Sequence, residues 1–217
     1  MAVGLLFIHH HPGIFIPCGQ PVVTRHLAST PSVAAEQRRY YGRDQSTADA
    51  PARDVLGEVE REFIATRDSF YMATVTEKGW PYVQHRGGPA GFLRVLGPHT
   101  LGFADLRGNR QMLSTGNVQM NDRVALLLMD YPQRSRLKIL GRARVVPATE
   151  DKPLASELAT TLNAVVERLF LIDVIGFDWN CPKFITPRYT LAEIETVAAP
   201  LRARIAELEA QLRARTT

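Results

Sequence analysis

Two short segments put arginine beside glycine: Gln84-His85-Arg86-Gly87-Gly88 and Arg107-Gly108-Asn109-Arg110. A guanidinium fork holds phosphate or carboxylate oxygens in pairs, and glycine lets backbone N–H groups come close to the same anion. Phosphate binding is the chemistry these residues suit. Gly-Arg dipeptides are also common in plain turns, so the pattern needs its structural setting before it carries weight. The basic residues as a whole lean the same way. Only four of the 26 are lysines (Lys78, Lys138, Lys152 and Lys183) and the other 22 are arginines; the guanidinium suits planar anions, although codon usage alone gives the same bias.

Both segments fall at the ends of predicted strands. Ser69 to Thr76, the turn Glu77-Lys78-Gly79 and Pro81 to Gly87 read as a hairpin. After the Gly/Pro-rich bend at Gly87 to Gly91 and a Gly97-Pro98 turn, Thr100 to Asp105 reads as a strand leading into the second arginine segment. Arg123 to Asp130 is nearly all apolar, which predicts a strand buried on both faces. Arg136 to Val146 and Leu169 to Trp179 supply two more strands, with helical stretches over Asp54 to Arg67 and Asp151 to Asn163. Strands joined mostly by short turns, with helices outside them, describe an α+β fold built on an antiparallel six-stranded β-barrel.

The ends of the chain differ from this middle. Residues 1–53 show no sustained period and carry five prolines (12, 17, 21, 31 and 51), which predicts an irregular N-terminal arm. From residue 189 to 217 the pattern is helical: Leu191, Ile194, Ala198, Leu201, Ile205, Leu208 and Leu212 recur at heptad spacing, and Thr190 with Glu193 forms a capping box. Pro200 lies inside that run and predicts two helical pieces. The apolar face suits either a partner helix or the surface of the chain's own barrel.

The chain of 217 residues is 45% hydrophobic and 22% charged, with a net charge of +4 and a pI near 9.3. These are globular proportions, and the length is ample for one core. Cys18 and Cys181 lie too far apart in sequence for a CxxC pair or a disulfide framework. The apolar run Ala2 to Ile8 has no preceding base, is broken by His9, His10 and His11, and is too short to span a membrane, so a cytoplasmic protein is expected. Those adjacent histidines cannot converge on one metal ion, and no metal is expected. No basic run interleaved with aromatics points to nucleic acid.

The order of segments, SFYMATVTEKGWPYVQHRGG, TLGFADLRGNRQ, NDRVALLLMDY, RLKILGRARVV and FDWNCPKFITPR, resembles the pyridoxamine 5'-phosphate oxidase-like family of FMN-binding split barrels over roughly Val55 to Arg188. The resemblance implies a split-barrel domain over 54–188 and a homodimer with FMN in a groove between subunits. It places the family's first phosphate-binding strand on Gln84, His85, Arg86, Gly87 and Gly88; a proline (Pro89) stands where the family has lysine and Gln84 where it has arginine, so Arg86 supplies the charge. The second element falls on Phe103 to Arg110, with Asn109 and Arg110 in the places of the family's Arg and Lys. Arg136, Trp179 and Arg188 correspond to further flavin contacts, although Trp179 equally suits a core aromatic capping the barrel. The implied activity is oxidoreduction, with hydride or electrons passing between FMN and a small-molecule substrate or electron donor. The segment around WNCPKFITPR departs from the oxidase's substrate-phosphate region, so pyridoxamine phosphate itself is not implied. Two alternatives stand beside this: a non-catalytic flavin-, haem- or deazaflavin-binding protein of the same fold, and a dimeric module whose heptads recruit a partner.

Overall fold

In the computed structural model, residues 22–44, 52–159, 164–179 and 183–216 are described. The strands are β1 (Ser69–Val75), β2 (Pro81–Gly87), β3 (Arg94–Gly97), β4 (Thr100–Leu106), β5 (Arg123–Asp130), β6 (Ser135–Pro147) and β7 (Val166–Trp179). The helices are α1 (Val22–Ala28), α2 (Pro31–Tyr41), α3 (Glu58–Ala65), α4 (Leu113–Met120), α5 (Lys152–Ala159) and α6 (Leu191–Thr216). All strand pairs are antiparallel, in the order β2-β1-β5-β6-β7-β4-β3. The expected α+β antiparallel architecture is present, with seven strands rather than six. The extra one is β3, four half-buried residues without the in-out alternation that marks a strand in sequence.

Alternation in the longer strands builds the core. In β5, Val124, Leu126 and Leu128 point inward, and in β6 Leu137 and Ile139 do the same. The sheet curls over them. Phe70 on β1 and Phe103 on β4 are separated by three intervening strands, roughly 19 Å on a flat sheet, yet their rings meet edge to face at 5.3 Å. Curvature is helped by a bulge at Leu140/Gly141, where a Cβ on Gly141 would lie 2.8 Å from the Asp173 carbonyl oxygen.

Several expectations need correction. β5 is buried on one face only; Ala125, Leu127 and Met129 on the other face are half-buried in the single chain. The helix expected from Asp54 begins at Glu58, because the Asp54 N–H donates to the Ile175 carbonyl at 3.0 Å and its carboxylate accepts the Phe177 N–H at 3.0 Å. Those bonds hold residue 54 against β7. Gly57 then caps α3, its N–H donating to Glu60 at 3.0 Å. The helix expected over 151–163 runs as α5 to Ala159, and residues 160–163 lie outside the described residues.

The N-terminal arm is not irregular throughout. In α1, Val23 is buried and packs against β7 where Gly176 leaves room; a Cβ there would lie 2.9 Å from the valine. α2 starts on a Thr30 cap with Pro31 in its first turn and stops at Gly42, whose φ of 71° is the left-handed conformation glycine favours. No residue of α2 is buried. His9, His10, His11, Cys18 and Cys181 lie outside the described residues.

α6 is one helix, not two, and Pro200 sits inside it. Its capping box forms as expected: the Thr190 N–H donates to Glu193 at 2.7 Å and the Glu193 N–H to the Thr190 hydroxyl at 3.2 Å. Proline removes one i→i−4 bond, and because the helix is exposed water can serve the freed Thr196 carbonyl. No α6 side chain joins either core cluster, so among the described residues the heptad face does not pack on its own barrel. No described helix is long and apolar enough to cross a membrane.

Candidate functional site

The strands β2, β4 and β7 bring three charges together at one end of the sheet. Antiparallel pairing sets Asp105 on β4 opposite Arg168 on β7. The Asp105 carboxylate takes Arg168 on one oxygen (Nε at 2.9 Å, Nη2 at 2.8 Å) and Arg86 of β2 on the other (Nη1 at 2.7 Å). All three side chains are at least four-fifths buried, with exposures of 15% for Arg86, 9% for Asp105 and 17% for Arg168. The Arg86 guanidinium lies over the stacked rings of Phe103 and Phe170, 5.6 and 5.2 Å from their centroids. Its Nε is buried and bonds no protein atom among the described residues.

The chain after β4 closes this end. Arg110 and Met112 adopt left-handed backbone (φ 59° and 57°), which costs side-chain-bearing residues energy and turns the chain sharply into α4. Two hydrogen bonds fix that helix. The Ser114 hydroxyl donates to Gln84 Oε1 at 2.7 Å, tying its first turn to β2, and the buried Asn117 amide donates to Thr74 Oγ1 at 2.9 Å, tying it to β1.

Between these elements runs a groove of about 440 Å³, counted to its open mouth, lined among others by Tyr82, Gln84, Arg86, Asp105, Asn109, Arg110, Ser114 and Arg168. Three arginines face one aspartate across it, and with Glu167 at its edge, 3.1 Å from Arg168 and 4.0 Å from Arg110, the groove keeps a net positive charge that suits a phosphate monoester dianion. The first turn of α4, through Ser114 and Thr115, adds the positive end of a helix to the lining. A second hollow of about 530 Å³ beside it shares Arg86 and Asp105 and is lined also by His85, Gly87 and Phe103. Glu167 lies just outside the groove. Its hydrogen bond from Arg107 at 2.9 Å, with the charge of Arg168 beside it, holds its carboxyl below the usual range despite some desolvation.

Of the residues expected at a flavin site, Gln84, Arg86, Asn109 and Arg110 line the groove, and His85, Gly87 and Phe103 the hollow. The others lie elsewhere. Gly88 donates its N–H to the Asp68 carbonyl at 2.9 Å and packs on Phe92, where a Cβ would sit 2.8 Å away. Trp179 is a core aromatic, edge-on to Phe63 at 4.7 Å, with its indole N–H donating to Glu60 at 2.8 Å. Arg136 is on β6, its Nε buried without a partner, and Arg188 lies over the Tyr131 ring at 4.8 Å. None of these four lines either hollow.

Sequence reasoning passed over Arg168, Asp105 as an ionic partner, and Ser114. The opposite charges on facing strand ends were a usable signal, but only once β4 was paired with β7.

Comparison with solved structures finds likenesses of low identity. A HupZ variant from Group A Streptococcus is 15% identical over 58% of this chain and 99% of its own, with a TM-score of 0.49. A pyridoxamine 5'-phosphate oxidase candidate from Lactobacillus delbrueckii is 21% identical over 57% of this chain and 93% of its own, with a TM-score of 0.44. No curated protein matches in sequence. The family model described as pyridoxamine 5'-phosphate oxidase matches residues 56–168, more than half of the chain and the segment that carries Arg86, Asp105, Arg110 and Arg168. The chain therefore belongs to the pyridoxamine 5'-phosphate oxidase family.

Proposed function

We propose that the protein is an FMN-dependent oxidoreductase that works as a homodimer on a small-molecule substrate or electron donor. One observation carries the reading: within the family segment, Arg86, Arg110, Arg168 and the first turn of α4 line one groove with a net charge suited to a phosphate monoester. The residues fit the group. Arg86 has a buried Nε without a protein partner, and Phe103 lines the adjoining hollow. Bound FMN supplies hydride and electron transfer at its isoalloxazine. The chain's own part is to neutralise and orient the phosphate. Asp105 serves that task indirectly, by aligning Arg86 and Arg168 on its two oxygens. Homodimerisation is supported by the outward sheet face, where Tyr71, Val83, Ala125 and Leu127 are left exposed or half-buried in one chain.

A second reading, a non-catalytic flavin-, haem- or deazaflavin-binding protein, is favoured by a specific feature. Asp105, the one carboxylate that lines the groove among the described residues, has both oxygens engaged by two arginines.

The test uses Arg110, which is two-thirds exposed and only 4.0 Å from Glu167, rather than the buried Arg86. Charge-assisted hydrogen bonds contribute about 1.5–3 kcal/mol, so Arg110→Ala should weaken FMN binding about 10- to 100-fold. Riboflavin, lacking the phosphate, should bind native protein and variant equally weakly. Fluorescence quenching at fixed ionic strength measures both. Equal affinity for FMN and riboflavin removes the phosphate site. Bleaching of the flavin band by a reduced nicotinamide donor, at a rate above that of free FMN, separates the oxidoreductase from the carrier.

A further inference from the structure

α6 carries an apolar seam that its own fold leaves uncovered. Counting heptads from Leu191, positions a are Leu191, Ala198, Ile205 and Leu212, and positions d are Ile194, Leu201 and Leu208. The Leu and Ile side chains of this seam are exposed, from 42% at Leu208 to 85% at Leu191. Pro200 falls at position c, off the seam, where its ring does not obstruct an approaching helix. The Ile205-Leu208 heptad, at the centre of the charged flank, has the β-branched a and leucine d that favour two strands, whereas the Leu191-Ile194 heptad, with leucine at a and isoleucine at d, does not.

Charge complementarity points to a second copy of the helix and, where the two helices overlap over their full length, to one direction. The flanking e positions are Glu195, Arg202 and Glu209, and the g positions include Arg204 and Gln211. In a parallel, in-register pair, g faces e of the next heptad on the other helix, so Arg204 meets Glu209 of the second copy, twice by symmetry. An antiparallel pair centred between Leu201 and Ile205 instead sets Arg202 against Arg202 and Arg204 against Arg204. We infer that α6 zips, parallel and in register, against α6 of a second copy of this chain. The seam is thus a self-association surface separate from the barrel.

Within one helix, Arg204 pairs with Glu207 at 2.5 Å and Arg213 approaches Glu209 at 3.9 Å. These contacts make a charge exchange decisive. Arg204→Glu turns the first attraction into a repulsion, and Glu209→Arg does the same to the second. Inside a single helix the double variant is therefore worse than either change alone; across a parallel pair it restores the attraction.

The experiment uses the full chain with Cys18→Ser and Cys181→Ser, and follows disulfide formation under mild oxidation on non-reducing gels. Leu208→Cys on the seam should cross-link at least tenfold faster than Ala203→Cys on the opposite face. Adding Arg204→Glu should slow the Leu208→Cys cross-link several-fold, and adding Glu209→Arg as well should restore it. Equal rates at 208 and 203 overturn the inference. A charge-exchanged double variant slower than the Arg204→Glu variant also overturns it, because the charges then act only within one helix.

Discussion

Arginine–carboxylate pairs occur in two very different settings in this molecule. At the groove, Arg86, Asp105 and Arg168 form a cluster, none of the three more than 17% exposed, with Glu167 joined to Arg168 on its outer side. Along α6, Arg202 pairs with Glu195 at 2.6 Å and Arg204 with Glu207 at 2.5 Å, yet all four side chains are more than half exposed. The distances are alike and the energetics are not. Water screens the helix pairs, so they add little to stability. The groove cluster has given up much of its hydration, and each member depends on the others to compensate.

The largest expected effect follows directly. Asp105→Ala leaves Arg86 buried without its counter-charge, while Arg168 keeps Glu167 at 3.1 Å, and breaking a buried pair in this way costs about 3–5 kcal/mol. Glu195→Ala on α6 should change stability by less than about 0.5 kcal/mol. Urea unfolding of both variants measures the contrast. Similar small losses would mean that the groove cluster is as well hydrated as the helix pairs, and the comparison would collapse.

A second prediction concerns where the barrel ends. The arm that the sequence marks as irregular sends Val23 into the fold, 3% exposed against β7. At about 0.8 kcal/mol for each buried methylene-sized group, Val23→Ala should cost about 1.5 kcal/mol in the same unfolding measurement. No loss would show that α1 adds nothing to the barrel, and that the sequence boundary near residue 53 is the energetic one as well.

What was legible in the sequence follows the range of the interactions involved. β1, β2 and β6 announce themselves because their two faces differ in exposure and impose a period of two, and β5 by its apolar run, whereas β3 has no such alternation. For α2 the signals were present, Thr30, Pro31 and Gly42, but Pro31 reads as a breaker unless it is placed in a first turn. Pro200 misleads in the opposite direction, since an exposed helix tolerates one missing bond. Within the groove, Arg86 and Arg110 stand beside glycines and are visible locally. Arg168 is not, because its place opposite Asp105, 63 positions earlier, exists only after the chain between them has folded into adjacent strands.

The smallest effect lies between the two settings. Asp54 is half-buried beside β7, and burial pushes its carboxyl above the ordinary 3.8; the nearby Glu60 charge adds to this, while the hydrogen bond from the Phe177 N–H partly opposes it. A carboxyl whose folded pKa is raised binds its proton more tightly in the folded state than in the unfolded one. Its contribution is therefore fully present below the unfolded value and is lost as pH rises through the folded value. Asp54→Asn keeps an oxygen to accept the Phe177 N–H and removes the charge. The variant should match the native protein in the acid range and become the more stable of the two as pH rises above about 3.8, by less than the Val23 effect. Unfolding midpoints measured from pH 3 to 8 decide the matter. A difference that stays constant across that range would mean that Asp54 acts only through its hydrogen bond, and partial burial would then cost this carboxylate nothing.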